Sequence, residues 1–380
     1  MAAKVTTVTL DTLQQKYNKK YGDGTFVSGA DVSRDCPRIP FGIFAVDYST
    51  GGGVPTNRSS CLWGAPSAGK STLATYLMKS AASFCYSCFK PLIICTCGKK
   101  LKKRAVLVDI EGSFDKVWAD HIGLTDEDYY YVQPETGESA VNIAEEICMA
   151  EDCGLMVVDT LAFLEPSSEL EAAAEEAGYP AQPRLVAKMF RKVTQRLISE
   201  RKKNHAIAAV FLNQARKAMG GNASKFANNE DQPSGMAAKF AYSLSIRLGA
   251  RGLAPEEKDK YFDKETGLPY IHKTSTSVNK NKVIILSKTS EYSFVSTPGF
   301  EKPIGYVIED KVLLKYAKMH GVLQNIAGGW EIGKNKYKTL KDVTDTLENN
   351  VKLRTAIYFA TIKAAKVAYL KQLDSQKVSE

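Results

Sequence analysis

The 380-residue chain contains no apolar run approaching the ~20 residues that a membrane helix needs, which excludes a protein built of membrane-spanning helices. Its first residues, MAAKVTTVTLDTLQQK, lack the apolar segment of a secretory signal, so a cytoplasmic protein is expected. No fixed-period repeat is visible. In reducing cytosol the eight cysteines are not expected to pair as disulfides, and metal binding or plain burial comes first. What is present is ordinary: 44% apolar and 24% charged residues describe a globular chain, large enough for one big core or two modest ones. Lys and Arg number 51 against 42 Asp and Glu; the formal +9 makes an anionic partner plausible without naming it.

Residues 8–28 read as a short helix and an extended piece, TFVSG, around Gly22 and Gly24. A Gly/Pro-rich stretch from Tyr48 to Arg58 then precedes a compact apolar strand, SSCLWG. From there to about residue 250, strand-length apolar runs (105–110, 154–160, 206–212 and 242–248) alternate with segments of helical period. In the segment 184–203, Val186, Met189, Phe190, Val193 and Leu197 fall on one helical face. Near-continuous apolar strands alternating with helices predict an α/β fold, a parallel sheet covered by helices on both faces. From about residue 300 the chain reads as a small α+β unit ending in a long helix, 350–372.

Between the strand CLW and the helical STLATYLMKSAA stand Gly64, Ala65, Pro66, Ser67, Ala68, Gly69, Lys70 and Ser71, followed by Thr72. This is G-x-x-x-x-G-K-S in its required strand–loop–helix setting. The glycines let backbone N–H groups curl around a β-phosphate, and the helix start adds its positive end. Lys70 neutralises β/γ oxygens and the Ser71 hydroxyl ligates Mg²⁺, so ATP or GTP is expected here. Asp159, ending GLMVVD, stands where such folds place the carboxylate that holds the Mg²⁺ shell; Glu111, after AVLVDI, stands at a carboxyl end of the sheet.

Taken in order, LDTLQQKYNKKYGDGTF, IPFGIFAVDYSTGGGVPTNR, GAPSAGKST, VDIEGSFDKVW, QPETGE, VVDT, FLNQAR, SGMAAKF and NKNK resemble the RecA-type recombinases over roughly residues 10–340. The divergence between the motifs, and an insertion at 85–104, look more like phage recombinases than the bacterial housekeeping protein. The resemblance implies a RecA-like ATPase core at 41–300, an oligomerisation helix and extended segment at 1–40, and a small domain at 301–380. It also implies ATP and Mg²⁺ as cofactors and Glu111 as the residue that activates water. Asp115 would contact adenine and Trp118, in a position where the family usually has tyrosine, would stack on it. Gln214 would sense the γ-phosphate. Lys280 and Lys282 would reach a neighbouring subunit's γ-phosphate, as arginine fingers do.

Implied partners are single-stranded DNA, homologous duplex DNA, further copies of the chain in a helical filament, and single-strand-binding and mediator proteins. The family's DNA loops correspond to 165–183, which is acidic, and 215–234, rich in Gly, Asn and Ser. Arg184, Arg191, Arg216, Ser234 and Gly235 match its DNA contacts. Such phosphate contacts give affinity without base identity and a strong salt dependence. The nearest rival is a hexameric RecA-fold helicase; another is a filament protein that binds ATP without hydrolysing it. The N-terminal helix joined directly to the core speaks against the first, and the intact Lys70, Glu111 and Asp159 against the second.

The family does not supply the insertion CYSCFKPLIICTCGKKLKKR. Cys85, Cys88, Cys95 and Cys97 place four thiols within thirteen residues, a set that suits tetrahedral Zn²⁺. Buried free thiols and redox chemistry are the alternatives. Cys36, Cys61, Cys148 and Cys153 have no such grouping. The insertion carries +6, and the segment 184–203 carries +7, so the other 340 residues sum to −4. The basic charge is therefore local, and the cysteine hairpin becomes a second candidate DNA contact.

Overall fold

The computed structural model describes residues 8–32, 35–168, 182–217, 230–231 and 235–377. Its centre is one nine-stranded sheet. In chain order the strands are β1 (Ser59–Gly64), β2 (Arg104–Asp109), β3 (Tyr129–Val132), β4 (Cys153–Asp159) and β5 (Ala208–Gln214). They continue with β6 (Leu244–Arg251), β7 (Ile271–Asn281), β8 (Thr289–Val295) and β9 (Val307–Ile308). The spatial order is β9-β8-β7-β6-β1-β5-β4-β2-β3. The six strands from β6 to β3 run parallel.

Those six follow from the apolar runs. β1 and β4 are buried at every position because helices cover both faces. Successive side chains alternate between two cores. Leu155 and Val157 join Leu62, Leu73, Leu77 and Leu107 beneath the helix Lys70–Ala82. Met156 and Val158 join Met189, Phe190, Val193 and Phe211 under the helix Gln182–Lys202. That helix buries the apolar face its period predicts, and starts early enough to include Pro183, which the sequence places in a loop.

The sheet is mixed rather than wholly parallel, which corrects the expectation for its far side. β7, β8 and β9 are antiparallel additions beyond β6. The sequence hides β7 because its inward residues include Thr274 and Thr276, so IHKTSTSVNKN has no apolar run.

Beyond β9 the chain folds as a small α+β unit: the helix Asp310–Met319, a three-stranded sheet, and the helices Leu340–Asn349 and Val351–Lys377. Leu313, Leu347, Ile357 and Ile362 share a core with Phe44 and Tyr48, so this unit is seated on the short helix Phe44–Thr50. Two buried carboxyls sit in that seam. Asp47 accepts the N–H groups of Phe41 (2.7 Å) and Gly42 (3.0 Å) and the Tyr358 hydroxyl. Glu309 accepts the Phe44 N–H and pairs with Arg354 at 3.4 Å. Burial raises both carboxyls to about 7. By contrast the N-terminal helix, Leu10–Tyr21, buries none of its residues. No helix among the described residues is long and apolar enough to cross a membrane.

Candidate active site

The carboxyl ends of the parallel strands gather the G-x-x-x-x-G-K-S loop and its acidic neighbours. β1 ends at Gly64, where a Cβ would lie 2.3 Å from the Leu248 carbonyl oxygen; only glycine lets β6 pass so close. The loop then turns through Ser67 (φ 59°) and Gly69 (φ 86°), both left-handed, into the helix that starts at Lys70. Lys70 Nζ donates to the carbonyls of Gly64 (3.2 Å) and Ala65 (2.8 Å), so its ammonium lies over the loop. Ser71 Oγ donates to Asp159 Oδ2 at 2.9 Å. Burial pushes Asp159 up to about 6; the Ser71 hydrogen bond opposes this, while Glu111 and Asp109 add repulsion. Hydroxyl and carboxylate oxygens are the hard donors that Mg²⁺ takes.

A cavity of about 250 Å³ opens beside this pair, and its lining includes Ser71, Thr72, Phe114, Asp115, Trp118 and Asp159. Trp118 rests on Phe294, with ring centroids 5.5 Å apart, and its buried Nε1–H has no partner among the described residues. Asp115 is the N-cap of the helix Lys116–Ile122, its Oδ1 accepting the Trp118 N–H at 2.8 Å. The resemblance-derived adenine residues therefore stand in one cavity with the phosphate-loop residues. Glu111 follows β2, and its N–H reaches the Asp159 carbonyl at 3.3 Å. Gln214 ends β5 directly opposite Gly64 in the parallel register.

Asp109 was not singled out by sequence reasoning. It is buried and accepts from the N–H groups of Gly112 (2.8 Å) and Phe114 (3.1 Å) and from the Tyr131 hydroxyl (3.1 Å). It thereby shapes the turn that carries Glu111 and Phe114. The available signal was an acid closing an apolar strand, as at Asp159.

Lys280 and Lys282 lie elsewhere. Asn281 pairs with Leu244, and Leu244 with Ser60, so these lysines occupy the amino edge of the parallel strands. Gly64 and the phosphate loop stand at the other end of β1, about 13 Å along the strand from Ser60 at ~3.3 Å per residue. Both lysines donate to the last carbonyls of the helix Gly235–Ala241, Lys282 to Phe240 at 3.1 Å. In their own chain they therefore stand apart from the phosphate loop.

The proposed DNA contacts are only partly in view. Arg184, Lys188 and Arg191 are exposed at i, i+4 and i+7, one stripe without an ion pair among the described residues. Lys192 and Arg196 are instead held by Glu145 at 2.6 and 2.7 Å. Arg216 lies in a two-residue strand paired with Glu230–Asp231, and Gly235 begins a helix. Ser234 and most of both loops lie outside the described residues.

The four insertion thiols converge: Cys85, Cys88, Cys95 and Cys97 have Sγ atoms all within 4.8 Å of one another. The contacts Cys85–Cys97 (3.6 Å) and Cys88–Cys95 (3.4 Å) cross a hairpin of Phe84–Cys85 with Lys90–Pro91. The Lys100 N–H, then the Cys95 thiol, draw Cys97 down to about 6. Cys61, Cys148 and Cys153 are buried, and Cys36 is half-buried.

A family profile described as the RecA N-terminal domain matches residues 8–301. The chain belongs to the RecA family. Among its relatives, protein RecA of Cytophaga hutchinsonii is 29% identical over 329 residues, covering 86% of this chain and 80% of the relative. Protein RecA of Teredinibacter turnerae is 28% identical over 352 residues, covering 90% and 92%. The RecA-like α/β fold is thereby shown.

Proposed function

We propose that the chain is a DNA-dependent ATPase that assembles as a helical filament on single-stranded DNA and carries out homologous pairing and strand exchange. The observation that carries this reading is that the phosphate-loop groups and the two lysines lie at opposite edges of the sheet. Phosphate loop, Ser71–Asp159 pair and adenine cavity stand at one edge, while Lys280 and Lys282 stand at the other. A complete site then requires a second copy placed edge to edge.

Within that site the loop N–H groups and Lys70 hold the phosphates, and Trp118 and Asp115 receive the adenine. Ser71 and Asp159 would hold Mg²⁺, which neutralises phosphate charge when bound. Glu111 orients water and accepts its proton. Gln214, one residue before the second DNA loop, links the γ-phosphate to DNA binding through Arg216, Ser234 and Gly235. Arg184 and Arg191 add backbone contacts. The N-terminal helix, with no buried face of its own, suits docking on the next protomer. We divide the chain at 1–40, 41–300 and 301–380 accordingly.

The thiol cluster is read as a structural Zn²⁺ site, since four converging sulfurs are its usual donor set. The insertion and the low identity to bacterial relatives support a phage-type branch, acting in the host cytoplasm with single-strand-binding and mediator proteins. ATP hydrolysis measured with and without single-stranded DNA, beside a joint-molecule assay, tests the reading. Stimulation by DNA together with joint molecules is expected. Hydrolysis indifferent to DNA, with no joint molecules, would refute it, and directional unwinding would identify a helicase.

A further inference from the structure

We infer that the cysteine knuckle is a second nucleic-acid contact, a cationic tip that grips the phosphate backbone of duplex DNA away from the loop site. The inference rests on reading the four thiols as a zinc site, because the metal is what would hold the tip rigid.

Position comes first. The knuckle joins the end of the helix Lys70–Ala82 to the start of β2, where the Arg104 N–H bonds the Asp152 carbonyl at 2.8 Å. Tyr86 packs so closely on Gly154 that a Cβ there would lie 2.2 Å from its ring. The knuckle is therefore anchored at the amino edge of the sheet, whereas the loops at 165–183 and 215–234 leave the carboxyl ends of β4 and β5. The helix Val351–Lys377 packs against the turn Leu92–Ile94, bracing the knuckle from its other side.

Charge comes second. Lys90, Lys99, Lys100 and Lys102 are all exposed, and none has an ion pair among the described residues. No acid occurs anywhere in 85–104. The other two cations are engaged, Lys103 buried over the Tyr86 ring and Arg104 over Tyr130. Lys90 lies two residues after Cys88, and Lys99 and Lys100 two and three after Cys97, so bound metal would fix the spacing of the free cations.

The kind of nucleic acid follows from the rings. Phe84 and Tyr86 are buried and Phe89 packs inward, leaving no exposed aromatic on the tip for base stacking. A rigid tip of ammonium groups without a stacking surface suits a duplex, whose bases are closed and whose backbone presents about one charge per 1.7 Å.

The test uses the full chain with Lys90→Gln, Lys99→Gln, Lys100→Gln and Lys102→Gln combined, with zinc content measured on the same sample. Binding to a 30-base-pair duplex at about 0.15 M salt should weaken at least tenfold, and the slope of log K against log salt should fall by about three to four. Oligo(dT) binding and oligo(dT)-stimulated ATP hydrolysis should stay within about twofold of the parent. Unchanged duplex affinity and slope would overturn the inference. So would equal losses for duplex and oligo(dT), a loss confined to phosphatidylserine vesicles, or altered self-assembly with an intact duplex slope. In a second variant, Cys88→Ser with Cys97→Ser, zinc should leave and duplex binding should weaken while oligo(dT) binding persists. If the parent holds no zinc but the lysine variant behaves as expected, the DNA contact stands and the metal reading alone fails.

Discussion

The two edges of the central sheet achieve order by different means. At the carboxyl edge, strand ends and a helix start position every group: Gly64 admits β6, Asp109 ties the Glu111 turn, and Ser71 meets Asp159 across β1 and β4. At the amino edge, Lys280 and Lys282 rest on helix-end carbonyls and the knuckle hangs on two two-residue strands and four thiols. One edge is built by the fold; under the proposed function, the groups at the other act only with an additional body, a second chain or a metal ion.

The largest expected effects separate the two edges cleanly. Glu111→Gln should lower ATP turnover by ~10³-fold, within the range for loss of a positioned base, while ATP-dependent DNA binding survives. Simultaneous loss of DNA binding would make Glu111 structural. Lys280→Ala with Lys282→Ala should cost roughly 10²-fold or more in turnover, yet leave nucleotide affinity of the isolated chain intact. Mixing that variant with Lys70→Ala chains should restore part of the hydrolysis, since one kind of junction then holds a full set of groups. No recovery on mixing would place the lysines' role inside their own chain.

Smaller effects sharpen the contrast. Burial and neighbouring acids hold Asp159 up to about 6, and only its carboxylate form suits a cation. Mg²⁺–nucleotide affinity, measured by titration, should therefore fall as the pH drops below about 6, approaching tenfold per unit. Cys88→Ser should lower Tm by about 5 °C and abolish zinc binding, with DNA-stimulated turnover changed less than about twofold. An equal collapse of turnover would show that the amino edge supports the other directly.

The smallest effect lies in the seam of the C-terminal unit. Asp47 and Glu309 are raised to about 7, so the folded chain holds their protons more tightly than the unfolded chain does. Their contribution favours folding at low pH and is lost as the pH climbs from about 4 to 7. Denaturant unfolding should show this decline, and Asp47→Asn should flatten it.

Legibility in the sequence divides along the same line. The phosphate loop was readable because contact with phosphate dictates residue type and spacing together. Asp159 was readable because an acid ends a fully apolar strand. Asp115 and Trp118 emerged only through family resemblance, since their meeting with Thr72 and Phe294 depends on distant strands. Asp109 was passed over because its role is to hold a turn rather than to touch a ligand. β7 escaped because Thr274 and Thr276 interrupt the apolar residues of its inward face. Nothing in the spacing of Lys280 and Lys282 discloses which edge they occupy; the antiparallel register of β7 decides that. The cysteine spacing suggested a cluster closed by a hairpin through Lys90 and Pro91, but which thiols face each other, Cys85 with Cys97 and Cys88 with Cys95, is a matter of folding.

The separation of Lys280 and Lys282 from the phosphate loop of their own chain has an arithmetic consequence. Under the proposed function, an open stack of n chains contains n − 1 working junctions, and a solitary chain contains none. Hydrolysis per chain should therefore climb with polymer length and level off, so that short oligomers idle and extended ones consume ATP throughout. Length itself becomes the quantity that sets the rate.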